Sequence, residues 1–305
     1  MDRPILITGG TGQVSTALAR ACLAKGFAMC GVGRPDFDFD RPETIEAIFA
    51  ATTPRLVINA AAYTAVDAAE TDAEAAFRAN RDGPARLAAL CADAGVPFVH
   101  ISTDYVFDGT KGAPYVETDP TAPSGVYGAS KLAGEQAVLA SGAHAIILRT
   151  AWVVSPTGRN FIRTMLNAAR RTDRLRVVAD QIGCPTVAAD LAQAILGIVQ
   201  RLDRDGWQDR FGGVFHAAGS GETSWHGLAE AVFDAAVPLG LRRPVVEPIA
   251  TADWPTPVRR PADSRLDCAK LAQVFDVAMP PWPGSVAAAV AAILAAEPSG
   301  PTSPG

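Results

Sequence analysis

The chain has 305 residues, of which 49% are apolar and 19% charged, and its formal net charge is −5. That length holds one large domain or two smaller ones at about 150 residues each, enough for a core that needs no disulfide or structural metal. The balance excludes a disordered polyelectrolyte and offers no basic footprint for nucleic acid or an anionic membrane, while the longest apolar run, the 11 residues from Val286 to Ala296, falls short of the roughly 20 that span a bilayer.

In chain order, strands are expected at Ile5–Thr8, Phe27–Gly33, Leu56–Asn59, Phe98–Ser102 and Ala145–Arg149. Helical patterns lie between them, near 12–25, 42–52, 72–94 and 126–141. The strands are continuous apolar runs, the pattern of a parallel sheet covered on both faces. Such alternation predicts βαβ units and an α/β, doubly wound, Rossmann-type sheet over residues 1–150. From 151 the regularity fades. Helices are expected near 158–171, 187–201, 224–237 and 284–296, with short strands near 175–178, 213–217 and 245–249. Prolines gather between 238 and 283. Residues 151–296 therefore read as mainly a smaller, loop-rich substrate lobe, with some segments returning to the first domain. The tail, 297–305, is rich in Pro, Gly and Ser and is expected to be flexible.

Five cysteines at 22, 30, 91, 184 and 268 are widely spaced and form no Cys-x-x-Cys pair. They read as buried free thiols of a reducing compartment, and the expected location is the cytoplasm. The N-terminus runs directly into a strand pattern, so no signal peptide is expected. The Ala-rich stretch 72–94 can cover its own sheet or a partner's helix; the default is a monomer or weak homodimer.

Thr8-Gly9-Gly10-Thr11-Gly12-Gln13-Val14 joins the first strand to the first helix. Glycine allows a tight turn and close approach of a pyrophosphate, and the helix N-terminus offers free N–H groups with a positive partial charge. Position and composition together predict dinucleotide binding. The usual third glycine is replaced by Ser15, small enough for close helix–strand packing. After the second strand comes Arg34, with no acid until Asp36, and a base there accommodates a 2′-phosphate. NADPH is therefore the expected cofactor, with NADH possible. Asp38 and Phe39 offer a carboxylate and an aromatic face to the adenine.

Tyr127 and Lys131 stand four apart at the start of a helix, on one face. A nearby ammonium is expected to lower the phenol pKa from about 10, so that the tyrosine can exchange a proton with a carbonyl or alkoxide oxygen. Thr103, at the end of the fourth strand, can donate to the same oxygen. His100, inside that strand, reads as a satisfied core residue. No metal is required by this chemistry.

These motifs resemble a known family. Thr8-Gly-Gly-x-Gly-Gln13, Asn59-Ala-Ala-Ala-Tyr-Thr-Ala-Val-Asp67, Ser102-Thr-Asp-Tyr-Val-Phe-Asp-Gly109 and Tyr127-Gly-x-Ser-Lys131-Leu-Ala-Gly-Glu135 are similar to extended short-chain dehydrogenases/reductases. Within that group they resemble dTDP-4-dehydrorhamnose reductases. The likeness continues through Arg149-Thr-Ala-Trp-Val153, Asp180-Gln-x-Gly-x-Pro-Thr186 and Arg260-Pro-x-Asp-Ser-Arg-Leu-Asp267, and spans residues 3 to about 293. It implies NAD(P)H-dependent reduction of the 4-keto group of dTDP-4-dehydro-β-L-rhamnose. It implies a catalytic set of Thr103, Tyr127 and Lys131 and a phosphate turn of Gly9, Gly12, Gln13 and Val14. Ala60, Ala61, Ala62 and Thr64 are then cofactor contacts, beside Asp38 and Phe39. Val66, Asp104, Tyr105 and Trp152 fall where relatives contact the sugar, and Gln181 and Arg260 near the nucleotide. A nucleotide sugar is thus the implied partner.

One departure bears on the substrate. Asp263 stands where the family pattern has asparagine, and an added negative charge near a diphosphate would repel it. The alternatives left open are another nucleotide-sugar reductase or epimerase on the same scaffold, and a non-catalytic NADP-binding regulatory subunit.

Overall fold

The computed structural model describes residues 3–296; the expected flexible tail lies outside the described residues. The first half lays down β1 (Ile5–Thr8), α1 (Gln13–Lys25), β2 (Met29–Val32), α2 (Pro42–Thr52), β3 (Leu56–Asn59), α3 (Val66–Ala69), α4 (Ala73–Phe77), α5 (Gly83–Asp93), β4 (Phe98–Thr103), α6 (Val126–Ala140) and β5 (Ala145–Thr150). The second half adds β6 (Val153–Val154), α7 (Phe161–Ala169), β7 (Arg174–Val178), β8 (Ile182–Gly183), β9 (Thr186–Val187), α8 (Ala188–Asp205), β10 (Gly213–His216), β11 (Thr223–Ser224), α9 (Trp225–Ala236), β12 (Val245–Ile249), α10 (Ala269–Phe275) and α11 (Trp282–Ala296).

Six strands form one parallel sheet in the order β2-β1-β3-β4-β5-β10. Strand side chains alternate between faces, and both faces are covered. Ile5, Ile7, Ile58 and Leu148 pack on Leu18 and Cys22 of α1, Leu191 and Ile195 of α8 and Phe275 of α10. Leu6, Val57, Phe98 and Ile147 pack on Ile45 of α2, Leu87 and Cys91 of α5 and Val138 of α6. This is why the strands carry no polar alternation. Chain order reverses at β1, so the loops after β1, β3 and β4 open a crevice at the carboxyl ends of the strands.

The second half is interleaved with the first. β10 extends the sheet beside β5, and α8 packs along α1. The remainder forms a smaller layer in which α7, α9 and α11 share an apolar core. Its strands pair only two by two, β7 with β12, β8 with β11 and β6 with β9. The short helix α10 and the two-residue strands carry too little periodicity to be read from sequence.

The stretch 72–94 is not one regular helix. Between α4 and α5 runs a π-helical turn, Arg78–Asp82. Pro84, in the first turn of α5, lacks the N–H that a regular α-helix would use there, and its ring crowds the preceding turn. The widened turn sets the buried Asn80 side chain against the loop after β3, where Oδ1 accepts from Tyr63 N (2.8 Å) and Nδ2 donates to Tyr63 O (3.0 Å). Nδ2 also reaches Ser130 Oγ of α6 at 2.9 Å. The second strand is shorter than expected, Met29–Val32 instead of Phe27–Gly33. Phe27 N bonds back to Cys22 O in the turn closing α1. No helix of the described residues is long and apolar enough to cross a membrane, and no cluster of three or more His, Cys, Asp or Glu fit to hold a metal occurs among them. The five cysteines are free thiols.

Candidate active site

A cleft of about 1030 Å³ opens at the crevice. Its floor is the glycine turn. Gly9 has φ +109°, and a Cβ there would lie 2.9 Å from Ala60 O; only glycine combines that conformation with that approach. Gly33 passes so close that its Cβ would fall 2.5 Å from Gly10 Cα. Gly12 caps α1, and the first turn of α1 holds no acidic residue. Its N–H groups and dipole therefore face the cleft uncompensated. Ser15 fits the glycine's place: its buried hydroxyl donates to Gly10 O (2.9 Å) and Gly12 O (3.0 Å), bracing the turn.

The cleft brings together most of the residues singled out in the sequence. Gly9, Gly12, Gln13, Val14, Arg34 and Phe39 line it, with Ala60, Ala61, Ala62, Thr64 and Val66 from the segment after β3. Thr103, Asp104, Tyr105, Tyr127, Lys131 and Trp152 complete the wall. Asp38, Gln181 and Arg260 do not line it. Asp38 is turned to Arg34, whose Nε donates to it at 3.0 Å while Nη2 donates to Asp40 at 3.0 Å. The guanidinium is two-thirds exposed at the cleft mouth, and two carboxylates offset its charge. The base expected to accommodate a 2′-phosphate is therefore engaged in ion pairs. Asp36 and Phe37 line the cleft in place of Asp38.

Tyr127 and Lys131 both face the cleft from the first turns of α6, which enters beneath Thr103. The Tyr127 ring packs edge-on against Tyr105, centroids 5.5 Å apart. Burial raises its phenol pKa well above the usual value, opposed by a hydrogen bond with Thr103 and reinforced by Asp104. The net shift is upward, against the expectation of a phenol pKa below about 10. The Lys131 ammonium is buried and donates to Ile101 O at 2.6 Å, and desolvation brings its own pKa down to about 8. The Thr103 hydroxyl donates to Asp104 Oδ1 (3.0 Å) and accepts from Tyr105 N (3.2 Å). It must turn from Asp104 to donate to a ligand.

Lys131 ends a row of polar side chains crossing the sheet. Thr8, Asn59 and His100 sit side by side in register on β1, β3 and β4. Thr8 Oγ1 donates to Asn59 Oδ1 (2.5 Å), Asn59 Nδ2 meets His100 Nδ1 (2.9 Å), and His100 Nε2 faces Lys131 Nζ (3.4 Å). Burial and the Lys131 charge hold His100 neutral. His100 is a buried residue held through Nδ1 by Asn59, and it also borders the lysine.

Asp104 is almost fully buried, and burial lifts its pKa to about 6 despite hydrogen bonds that oppose the shift. A carboxyl group with a raised folded-state pKa contributes most to stability below its unfolded pKa, near 3.9, and loses that contribution as pH rises through 6. Asp104→Asn removes the ionised form and keeps an acceptor for Thr103. The variant is expected to be about 3 kcal/mol more stable than the parent at pH 8 and within about 0.5 kcal/mol of it at pH 4. Thermal unfolding at the two pH values checks this, and a variant less stable at pH 8 contradicts it.

On the opposite wall Trp152 adopts φ +46° and stacks on Trp225, centroids 3.6 Å apart at 6°. Gly183 meets the indole edge, where a Cβ would lie 2.5 Å away. Gln181 acts behind this stack: it accepts from Trp225 Nε1 (3.2 Å) and donates to Thr251 Oγ1 (3.0 Å). Arg260 reaches Tyr105 Oη (3.1 Å) and Asp67 (2.6 Å). Gln181 and Arg260 thus support wall residues from outside the cleft. Asp263 is held by Arg265 through Nε (2.9 Å) and Nη2 (2.7 Å). Its charge is compensated, which removes the expected repulsion of a diphosphate.

Two features have no local signature. Glu135 and Arg149 form a buried ion pair (2.7 Å) beneath the active end of β4, and Ser102 donates to the same carboxylate. Asn160 of the second half donates to Gln13 Oε1 in the glycine turn at 2.9 Å. Both join positions far apart in the chain, where periodicity says nothing.

The description "RmlD substrate binding domain" belongs to a family model that matches residues 3–295. A dTDP-4-dehydrorhamnose reductase of Sinorhizobium fredii is 44% identical over 290 residues, 95% of this chain and 97% of the relative. The Escherichia coli protein of that name is 38% identical over 91% of this chain and 94% of its own. Among solved structures, a dTDP-4-dehydrorhamnose reductase from Clostridium acetobutylicum superposes with a TM-score of 0.87 at 34% identity, covering 94% of this chain and 98% of that one. One from Bacillus anthracis in complex with NADP gives a TM-score of 0.86 at 30% identity, with the same coverage. The chain therefore belongs to the dTDP-4-dehydrorhamnose reductase family of the extended short-chain dehydrogenases/reductases.

Proposed function

We propose that the protein reduces the 4-keto group of dTDP-4-dehydro-β-L-rhamnose with NADPH, giving dTDP-L-rhamnose. The observation that carries this reading is one cleft shared by an uncompensated helix N-terminus and a Thr103–Tyr127–Lys131 set. Family membership supplies the sugar nucleotide, and the NADP-bound relative supports the cofactor. The glycine cradle fits a dinucleotide diphosphate, since a Cβ at Gly9 would fill the floor. Gly9, Gly12, Gln13 and Val14 would hold the diphosphate, Arg34 and Phe39 the adenosine end, and Lys131 the nicotinamide end. Residues 1–150 supply most of this side, and 151–296 most of the sugar side.

When bound, the cofactor supplies the hydride. Tyr127 supplies the proton to the C4 oxygen. A phenol is protonated at neutral pH, as an acid must be before the reduction, and burial favours that form. An alkoxide is a stronger base than a phenolate, so transfer is favourable once charge develops on the oxygen. Thr103 turns its hydroxyl from Asp104 to donate to the same oxygen, while Tyr105 N still donates to Thr103 Oγ1. The Lys131 ammonium stabilises the phenolate left after transfer. The Trp152–Trp225 stack and Tyr105 form an apolar wall that limits water around the sugar.

The test is oxidation of NADPH by the purified protein with dTDP-4-dehydrorhamnose. Turnover is expected, with NADPH preferred over NADH and the dTDP sugar over GDP-linked keto sugars. Turnover restricted to another nucleotide sugar would replace the substrate and keep the chemistry. Failure with every keto sugar would favour the regulatory-subunit alternative.

A further inference from the structure

The loop 155–160, between β6 and α7, is fastened to the phosphate turn. Asn160 Nδ2 donates both to Gln13 Oε1 (2.9 Å) and to Ser155 O (2.7 Å). Gly158, at φ +75°, lies so near that a Cβ would come within 3.2 Å of Gln13 Cγ. Arg159 stands between these two anchors, exposed, and lines the cleft. The other cleft-lining cations are engaged: Arg34 by Asp38 and Asp40, and Lys131 by Ile101 O. Arg163, one turn on, donates to Pro156 O. Among the described residues, none lies within ion-pair or hydrogen-bond distance of the Arg159 guanidinium.

An unpaired guanidinium lining the same cleft as a helix N-terminus with no acid in its first turn makes a local positive field in a chain of net charge −5. Its planar fork suits two oxygens of a phosphate, which a lysine ammonium cannot match. We infer that Arg159 is a clamp on the diphosphate of the bound dinucleotide, brought over the phosphate turn by the loop that Asn160 fastens to Gln13. The second half of the chain thereby contributes directly to cofactor binding. The inference rests on the reading of the cleft as a dinucleotide site. It does not depend on which keto sugar is reduced.

The test is calorimetric titration of the parent, Arg159→Ala and Arg159→Lys with NADPH, NADH and dTDP. Because the side chain is exposed and bonds to no described residue, the variants should keep the parent's thermal midpoint. Arg159→Ala is expected to weaken NADPH and NADH by the same factor, about tenfold or more, with dTDP affinity unchanged. Arg159→Lys should recover only part of the loss, and the loss should shrink at high salt. Dinucleotide affinity within twofold of the parent overturns the clamp. A loss confined to NADPH assigns the arginine to the 2′-phosphate, and a loss confined to dTDP assigns it to the sugar nucleotide; either overturns the proposal. A parent that binds neither dinucleotide overturns both the clamp and the reading of the cleft. A parent that binds NADPH but reduces no keto sugar removes the proposed reaction alone, and the clamp is still decided by the titrations.

Discussion

Tyr127→Phe is expected to lower kcat by roughly a thousandfold, the middle of the range for loss of a general acid, while NADPH affinity stays within a few-fold of the parent. The substitution removes only the hydroxyl. The ring keeps its edge-on contact with Tyr105 at 5.5 Å, and Gly128 and Ser130 keep the start of α6 packed, with Ser130 held to Asn80. The affected step is protonation of the C4 oxygen. Neither neighbour replaces the phenol. The Thr103 hydroxyl is far too weak an acid, and the Lys131 ammonium is turned to Ile101 O. Steady-state kinetics with saturating NADPH checks the expectation. A variant that keeps more than a fifth of the parent's kcat would mean that another group delivers the proton.

The second large effect concerns stability. Glu135→Ala is expected to cost about 3–5 kcal/mol, the usual penalty for leaving a buried charge without its partner. Arg149 and Glu135 are 4% and 2% exposed, and their contact is bidentate, with Nε at 2.9 Å and Nη2 at 2.7 Å from the carboxylate. Arg149 also lies over the Phe107 ring, 5.0 Å from its centroid. Removing the carboxylate strands the guanidinium and frees Ser102, the residue before Thr103. The double variant Glu135→Leu with Arg149→Met should recover most of the loss, because it removes both charges and keeps the volume. Urea unfolding of parent, single and double variants measures this. A single variant within 1 kcal/mol of the parent would show that water reaches the pair.

The sheet was legible because its information is local. Ile5–Thr8 and Leu56–Asn59 were read to the residue, since a continuous apolar run bounded by breakers is what a strand buried on both faces requires. The π-helical turn at Arg78–Asp82 was not legible. Its purpose is to point Asn80 at Tyr63 and Ser130, and those contacts are invisible from the apolar spacing of 72–94. In the site, the glycine turn and the Tyr127–Lys131 spacing were readable, because each is a backbone or helix-face requirement within a few residues. The position of Arg34 points to a 2′-phosphate and that of Asp38 to the adenine, but neither position records the ion pairs that join Arg34 to Asp38 and Asp40.

The amino-acid order alone determined the alternation of strands and helices, the glycine turn, and the shared helix face of Tyr127 and Lys131, the pair proposed to transfer the proton. These follow from steric and periodic rules acting over one to four residues. The tertiary structure decided the sign of the Tyr127 pKa shift, the compensation of Asp263 by Arg265, the support of Trp225 by Gln181 and the placement of Gly158 and Asn160, which flank Arg159, against Gln13. Charge and burial are properties of the three-dimensional neighbourhood. Gln13 and Asn160 meet across 147 positions of chain, and no pattern local to either residue records the other. Desolvation, which raises Tyr127 and Asp104 and lowers Lys131, likewise exists only once α6 is packed beneath β4 and water is excluded.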